Sequence, residues 1–315
     1  MRLLYNLRSY RINLIMKLAF VIYKKIIMEK LNLFIKLTRL NKPIGYMLLF
    51  WPCLWGLTIA YDFTDNLNQY FFYLLLFFLG AVLMRSAGCI VNDIVDKNFD
   101  KKVKRTKNRP IASEKISVSL GIVCTICLCF LALIVLIQFN KLTIYLALAS
   151  MPLAFLYPLM KRFTYWPQLF LGITFNYGII LGWTSISNNL SFFPFILYFG
   201  AIFWTLGYDT VYGYQDIKDD EIIGVKSTSI KFKKNPKNFI LFNYFILSFS
   251  LLVIGIFMNF DYIYFLFLII PFLHLFIYQL KNLEIKNNNS CLKFFKKNNS
   301  FGLIVFLCLL LGKIY

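Results

Sequence analysis

The strongest constraint on this chain is a recurrence. Apolar stretches of about 20 residues, each long enough to cross the hydrocarbon of a bilayer, follow one another nearly to the C-terminus. They fall near 43–61, 70–91, 117–137, 141–160, 167–187, 191–213, 239–258, 261–280 and 300–314. Backbone in lipid must satisfy its own polar groups, so only helices and closed barrels can span, and continuous rather than alternating apolarity selects helices. The expected fold is all-α: a polytopic membrane protein of about nine transmembrane helices bundled around a central lipid-binding cavity. A chain that is 59% hydrophobic and only 15% charged is too apolar for an ordinary soluble enzyme.

Charge placement tests this layout. Basic residues collect in the first thirty or so positions, after the second stretch, at Lys161 and Arg162, from Lys218 to Lys237 and from Lys281 to Lys297. The alternate loops hold only Lys141 and Lys313, with Asp62, Asp65 and Asp261. Such alternation places the N-terminus in the cytoplasm, as basic loops stay on that side. A formal net charge of +20 would point a soluble protein toward nucleic acid, but here it anchors loops to an anionic membrane face, so no nucleic acid is expected. The chain divides into a basic leader, 1–35, read as kept rather than cleaved as a transit peptide, with Met28 a candidate internal start, and a transmembrane domain, 36–315. A leader of this kind suits a bacterial inner membrane, with the mitochondrial inner membrane as the alternative. Tyr61, Tyr70, Trp166 and Tyr262 fall where interfacial aromatics are expected, and Pro52 and Pro152 predict kinks. The Asn- and Lys-rich tract from Lys286 to Asn299 reads as a flexible loop. His274 reads as a packed core or interface histidine.

Two acidic stretches interrupt the apolar pattern. NDIVDKNFDKKVKRTKNRP, Asn92 to Pro110, spaces Asn92, Asp96 and Asp100 at i, i+4 and i+8, a column of oxygens on one helix face if the helix continues. DTVYGYQDIKDDEIIGVKSTS, Asp209 to Ser229, places Asp209, Tyr212, Asp216 and Asp220 along one face in the same way. Acids at the ends of membrane spans are costly unless compensated, and both columns are expected on the cytoplasmic side. Oxygen ligands of this kind suit Mg2+, which takes a few carboxylates together with phosphate oxygens. Lys104, Arg105, Lys107 and Arg109 offer the cations a diphosphate needs. An apolar interior behind such a site fits a lipid tail, and the combination describes a prenyl diphosphate. A secondary transporter is the competing class, but its acids would sit near the midplane rather than at span ends.

The first stretch resembles the NDxxDxxxD motif of the UbiA family of intramembrane aromatic prenyltransferases, followed by its RTxxRP as Arg105, Thr106, Arg109 and Pro110. The second resembles that family's DxxxD at Asp216 and Asp220, followed by GVKST at Gly224 to Thr228. Tyr157 and Lys161 match a YxxxK element, and KRFTYWPQLFLG and LTRLNKPIG are similar to the branch that uses 4-hydroxybenzoate. Asn41 and Glu114 depart from the family pattern, standing where Asp and Gly are usual.

The resemblance implies transfer of a polyprenyl group from polyprenyl diphosphate to 4-hydroxybenzoate, a step of ubiquinone biosynthesis; a naphthoate or haem acceptor is the alternative. It implies that Asn92, Asp96 and Asp100 hold one Mg2+ and that Asp216 and Asp220 hold another. Arg105, Arg109, Lys161, Tyr157 and Lys226 are the diphosphate contacts, and Arg39 pairs with the acceptor carboxylate. Asp209 and Tyr212 orient the phenol or receive the ring proton, while Asp93 and Asp219, turned about 100° from the columns, order their surroundings. Besides the two substrates and membrane lipid, no obligate protein partner is evident.

Overall fold

The computed structural model describes Phe20 and residues 23–314. Helix α1 covers 23–38. It is followed by α2 (Ile44–Ala60), α3 (Leu67–Val95), α4 (Val118–Leu136), α5 (Lys141–Phe163) and α6 (Pro167–Ser187). Then come α7 (Phe192–Gly213), the short α8 (Ile217–Ile223), α9 (Pro236–Phe257), α10 (Tyr262–Lys281) and α11 (Asn288–Ile314). Among the described residues there is no strand, eight helices are long and apolar enough to cross a membrane, and the 17-residue α2 makes the ninth apolar helix.

Helix starts follow local chemistry. Asn66, Ser117, Asn140, Ser191 and Asp261 each accept a hydrogen bond from a backbone N–H of the first turn, so α3, α4, α5, α7 and α10 open on side-chain caps. Helices α2 and α5 run on through Pro52 and Pro152, and in α5 a single 3₁₀ turn at Tyr157–Leu159 follows.

Packing is densest where α2 meets α6 and where α7 meets α9. The α2–α6 crossing depends on glycine: a Cβ at Gly182 would lie 2.3 Å from the Cys53 carbonyl oxygen and 2.5 Å from the Leu57 nitrogen. Small residues let membrane helices approach to backbone contact, the main source of attraction where lipid is as apolar as the side chains. At the centre, Trp204 of α7 lies with ring centroids 5.0 Å from Trp55 and 5.4 Å from Phe301. Each indole N–H needs an acceptor once it is out of water. Trp204 Nε1 donates to Asn298 Oδ1 at 2.7 Å, Trp51 Nε1 to Asn299 Oδ1 at 2.9 Å and Trp55 Nε1 to the Gly302 carbonyl at 3.0 Å.

Those contacts overturn one expectation. The tract 286–299 is not a loop: α11 begins at Asn288, and Asn298 is completely buried. Its asparagines are polar because tryptophans and Gln279 use them, which local composition cannot show. Tyr61 and Tyr70 also differ from expectation. They are buried rather than interfacial, with ring centroids 5.1 Å apart at 60°, and bonded to the Asn66 carbonyl and to Thr58 respectively. Tyr262 is exposed, as an interface anchor should be. His274 is buried between Gln279 and Ser300, a packed core histidine. The leader drawn at 1–35 runs into α1, where Leu33 and Leu37 pack on Ala87 and Ile90; residues 1–19, 21 and 22 lie outside the described residues.

An apolar cavity of about 240 Å³ lies between α2, α3, α4, α5 and α6, to one side of the tryptophan centre. Gly182→Ala should lower stability by about 1–3 kcal/mol, the usual penalty for overfilling a tight contact. Thermal unfolding in detergent, with Gly80→Ala as the control at a position with open space around it, measures the difference.

Candidate active site at the basic end of the bundle

The C-terminal ends of α3, α5 and α7 and the entry to α2 gather at one end of the bundle, and the acids of the two stretches arrive there on short segments rather than on long columns. Helix α3 stops at Val95; Asp96 takes φ −94° and ψ 4°, and a separate turn covers Lys97–Asp100. The bonds Asp96 N to Asn92 O (2.9 Å) and Asp100 N to Asp96 O (2.8 Å) keep the i, i+4 relation across that break. The second column is divided too. Asp209 and Tyr212 belong to α7, whereas Asp216 is the N-cap residue of α8, which carries Asp220.

Cations tie these segments together. Arg105 Nε donates to both oxygens of Asp216, at 2.7 and 3.0 Å, its Nη2 also reaches Asp216, and its Nη1 donates to the Tyr212 hydroxyl at 2.9 Å. The Lys104 backbone N–H donates to Asp219 Oδ2 at 3.2 Å. The two acidic stretches, more than a hundred residues apart in sequence, therefore meet face to face. Lys161, at the end of α5, bonds Asp96. Arg109 Nη1 donates to Asp100 Oδ2 at 2.7 Å and to Asp93 Oδ1 at 3.1 Å, while Arg39 Nη2 donates to the same Asp93 oxygen at 2.5 Å. Arg162 caps the C-terminus of α3 through the Val95 carbonyl at 2.8 Å, where a cation favours the helix dipole.

Desolvation dominates the titration of two of these acids, Asp220 and Asp100. Burial, reinforced by Asp216 and opposed by Lys161 and Arg105, pushes Asp220 up to about 6. Burial also raises Asp100 against the pull of Arg109. Carboxylates held this way favour a cation of high charge as a further neighbour.

The donor set suits Mg2+: it is all oxygen, and Asp96 Oδ1 is buried with no hydrogen-bond partner. Among the described residues no three acidic, histidine or cysteine groups converge on one point, since each carboxylate leans toward a cation instead. A hard ion there requires phosphate oxygens to complete its shell, which Mg2+ sites ordinarily use.

Not every expected contact lies at this centre. Lys226 donates to the Phe163 carbonyl at 3.2 Å, and its backbone N–H to the Lys161 carbonyl at 2.9 Å, so it latches the 224–228 loop to the end of α5. Arg39 is engaged by Asp93, which is only 1% exposed and holds two guanidinium groups. Asp219 orders the 104 backbone, as its position off the column implied. Glu114 adopts φ +59°, the left-handed backbone that glycine takes freely, and rests on Lys101 at 2.7 Å.

Arg85 was missed. It lies in α3 one turn below Cys89, lines the apolar cavity with Tyr157, and has a buried Nε without a hydrogen-bond partner. Its electrostatic neighbours include Tyr157, Arg39 and Asp209, and its guanidinium stands 5.3 Å from the Phe175 ring centroid. The signal was available: a lone arginine inside an otherwise apolar span is expensive and seldom idle.

Breaking the Asp93 hub should be costly. Asp93→Asn leaves the half-buried Arg39 without its carboxylate and Arg109 with Asp100 alone, and should destabilise by about 3 kcal/mol, against less than about 1 kcal/mol for Asp219→Asn. Paired thermal unfolding curves of the two variants check this.

Comparison with known proteins agrees with the geometry. The model of the UbiA prenyltransferase family matches residues 49–308. The chain is 40% identical over 288 residues to the mitochondrial 4-hydroxybenzoate polyprenyltransferase of Rattus norvegicus, covering 90% of this chain and 75% of that protein. It is 40% identical over 280 residues to 4-hydroxybenzoate geranyltransferase 1 of Lithospermum erythrorhizon, covering 89% and 90%. Among solved structures, a UbiA homolog from Aeropyrum pernix K1 superposes with a TM-score of 0.70 at 19% identity over 84% of this chain and 96% of that one. A UbiA homolog from Archaeoglobus fulgidus bound to GPP and Mg2+ gives 0.66 at 16% identity over 89% and 98%. At those identities the two structures establish the fold.

Proposed function

The chain belongs to the UbiA prenyltransferase family, and on that premise we propose that it transfers a polyprenyl group from its diphosphate to the carbon ortho to the hydroxyl of 4-hydroxybenzoate. The products are 3-polyprenyl-4-hydroxybenzoate and diphosphate. One observation carries the assignment: the Arg105 clamp on Asp216 and Tyr212 brings the two acidic stretches together at the end of the bundle to which the apolar cavity leads.

Asn92, Asp96 and Asp100 would hold one Mg2+ and Asp216 and Asp220 another, and bound Mg2+ supplies the positive charge that makes diphosphate a better leaving group. Arg105, Lys161 and Arg109 each already hold a carboxylate and stand ready to share phosphate oxygens, which guanidinium and ammonium groups bind well. The allylic carbon then lies at the cavity mouth, where Tyr157 and Phe175 offer ring faces to a developing cation and apolar walls keep water out. The acceptor ring attacks that carbon, forming the new carbon–carbon bond as the carbon–oxygen bond to diphosphate breaks. The ring proton leaves to a base near Asp209 and Tyr212.

For the acceptor carboxylate, Arg85 is the better placed of two arginines. Arg39 is already paired with Asp93, whereas Arg85 faces the cavity with Nε unpaired and Asp209 nearby. Lys226 acts through the loop it latches. The relatives named above carry 4-hydroxybenzoate in their names, which supports that acceptor over a naphthoate or haem. The name of the rat relative also includes the word mitochondrial, as do those of several other relatives, which supports the mitochondrial inner membrane over the bacterial one for this multi-span protein.

Asp96→Ala and Asp216→Ala should each lower transfer at least a thousandfold while leaving the protein monodisperse in detergent. Diphosphate release with 4-hydroxybenzoate and a prenyl diphosphate, with and without Mg2+, reads this out, and full activity in either variant would remove the metal assignment. Arg85→Ala should raise KM for the aromatic acid about tenfold or more with little change for the prenyl donor, and more than Arg39→Ala does. Equal effects on both substrates would argue against a carboxylate contact.

A further inference from the structure

The apolar cavity ends against a cluster of aromatic side chains. It runs along α3 from Gly88, one turn before Asn92, down to Leu76, a distance of about 18 Å at the rise of a helix. At the bottom stands Phe139, from the α4–α5 connection, 9% exposed. Its ring stacks on Tyr73 with centroids 5.4 Å apart at 17°, and lies 4.8 Å from Phe77. The neighbouring residue fixes the connection: Asn140 Nδ2 donates to the Thr184 and Ser185 carbonyls at 2.7 and 3.1 Å, and Asn140 Oδ1 caps α5 through Thr143 N. The backbone that carries Phe139 is thus anchored to the end of α6, while its ring packs on Tyr73 and Phe77 of α3.

We infer that Phe139, backed by Phe77, is a specificity-determining floor that sets how many isoprene units of the donor lie inside the protein. The inference rests on the prenyltransferase reading of the site above. Each isoprene unit adds four main-chain carbons, about 5 Å when extended at ordinary carbon–carbon lengths, so the cavity's length along α3 corresponds to roughly three to four extended units. Longer tails leave their remaining units outside it. Relatives of the same identity carry both geranyl and polyprenyl in their names, so donor length is a variable within this scaffold.

Two positions move the floor in opposite directions. Truncating Phe139 to alanine removes a six-carbon ring and makes room for one five-carbon unit. Gly80 lines the cavity one turn above Phe77, and a Cβ there meets nothing within 4 Å, so a large side chain can enter without a backbone clash. Gly80→Phe raises the floor by about one unit.

The test uses the full chain in nanodiscs with Mg2+, 4-hydroxybenzoate and an equimolar mixture of two-, four- and six-unit prenyl diphosphates, with products quantified by mass spectrometry. Competition within one tube reports ratios of kcat/KM, which do not depend on how much of a variant is folded. Phe139→Ala should raise the six-over-four product ratio about tenfold, and Gly80→Phe should lower the four-over-two ratio about tenfold, shifts within reach of even one methylene in an apolar pocket. If one variant does not accumulate, the other decides. Ratios within twofold of the parent in an active variant would overturn the floor alone. A parent chain that makes no product from any donor would instead overturn the transfer itself.

Discussion

The site depends on pairing opposite charges at the rim of a low-dielectric bundle. Asp93, Asp96 and Asp100 are buried and Asp216 half-buried, and an unpaired carboxylate where water is scarce would cost several kcal/mol. Arg105, Lys161 and Arg109 remove that cost, and in doing so they determine which segments touch. Arg105 is the decisive one, as its planar fork grips Asp216 with two nitrogens while a third reaches Tyr212. A lysine could hold the charge but not the geometry. Asp93 performs the same service from below, holding Arg39 and Arg109 so that the entry to α2 and the loop after α3 form one rigid edge.

This arrangement leaves the site poised between two states of charge. Without a bound anion, cations and carboxylates satisfy one another. On the proposed reading, a diphosphate with Mg2+ would offer the cations oxygens and the carboxylates a cation, so that partners could be exchanged without stranding a buried charge. Asp96 Oδ1, buried and unpaired, marks the place where this exchange is least complete in the structure. The apolar cavity begins a turn below, and Arg85 is the one charged side chain among its lining residues.

Much of this was legible along the chain. The nine apolar stretches, their alternating basic loops, and the oxygen-rich stretches at Asn92–Asp100 and Asp209–Asp220 all follow from local chemistry that lipid makes strict. Three features were not. Asp93 looked peripheral because a regular helix turns it away from Asp96, yet α1 and the loop at Arg109 wrap round to meet it. The 286–299 tract looked like a loop because asparagine and lysine are common in loops, yet tryptophans from α2 and α7 recruit its asparagines. Arg85 was overlooked because one charge hardly alters the hydropathy of a 29-residue helix.

The sequence alone determined that this chain spans a membrane many times and that its acidic stretches lie at the ends of spans, because hydration cost and motif spacing are properties of short segments. Only tertiary structure decided which cation holds which carboxylate, that Lys226 latches a loop and Arg85 faces the cavity, and where that cavity ends. Those outcomes are set by contacts between residues tens to hundreds of positions apart, and no local pattern records which distant side chain arrives to make them.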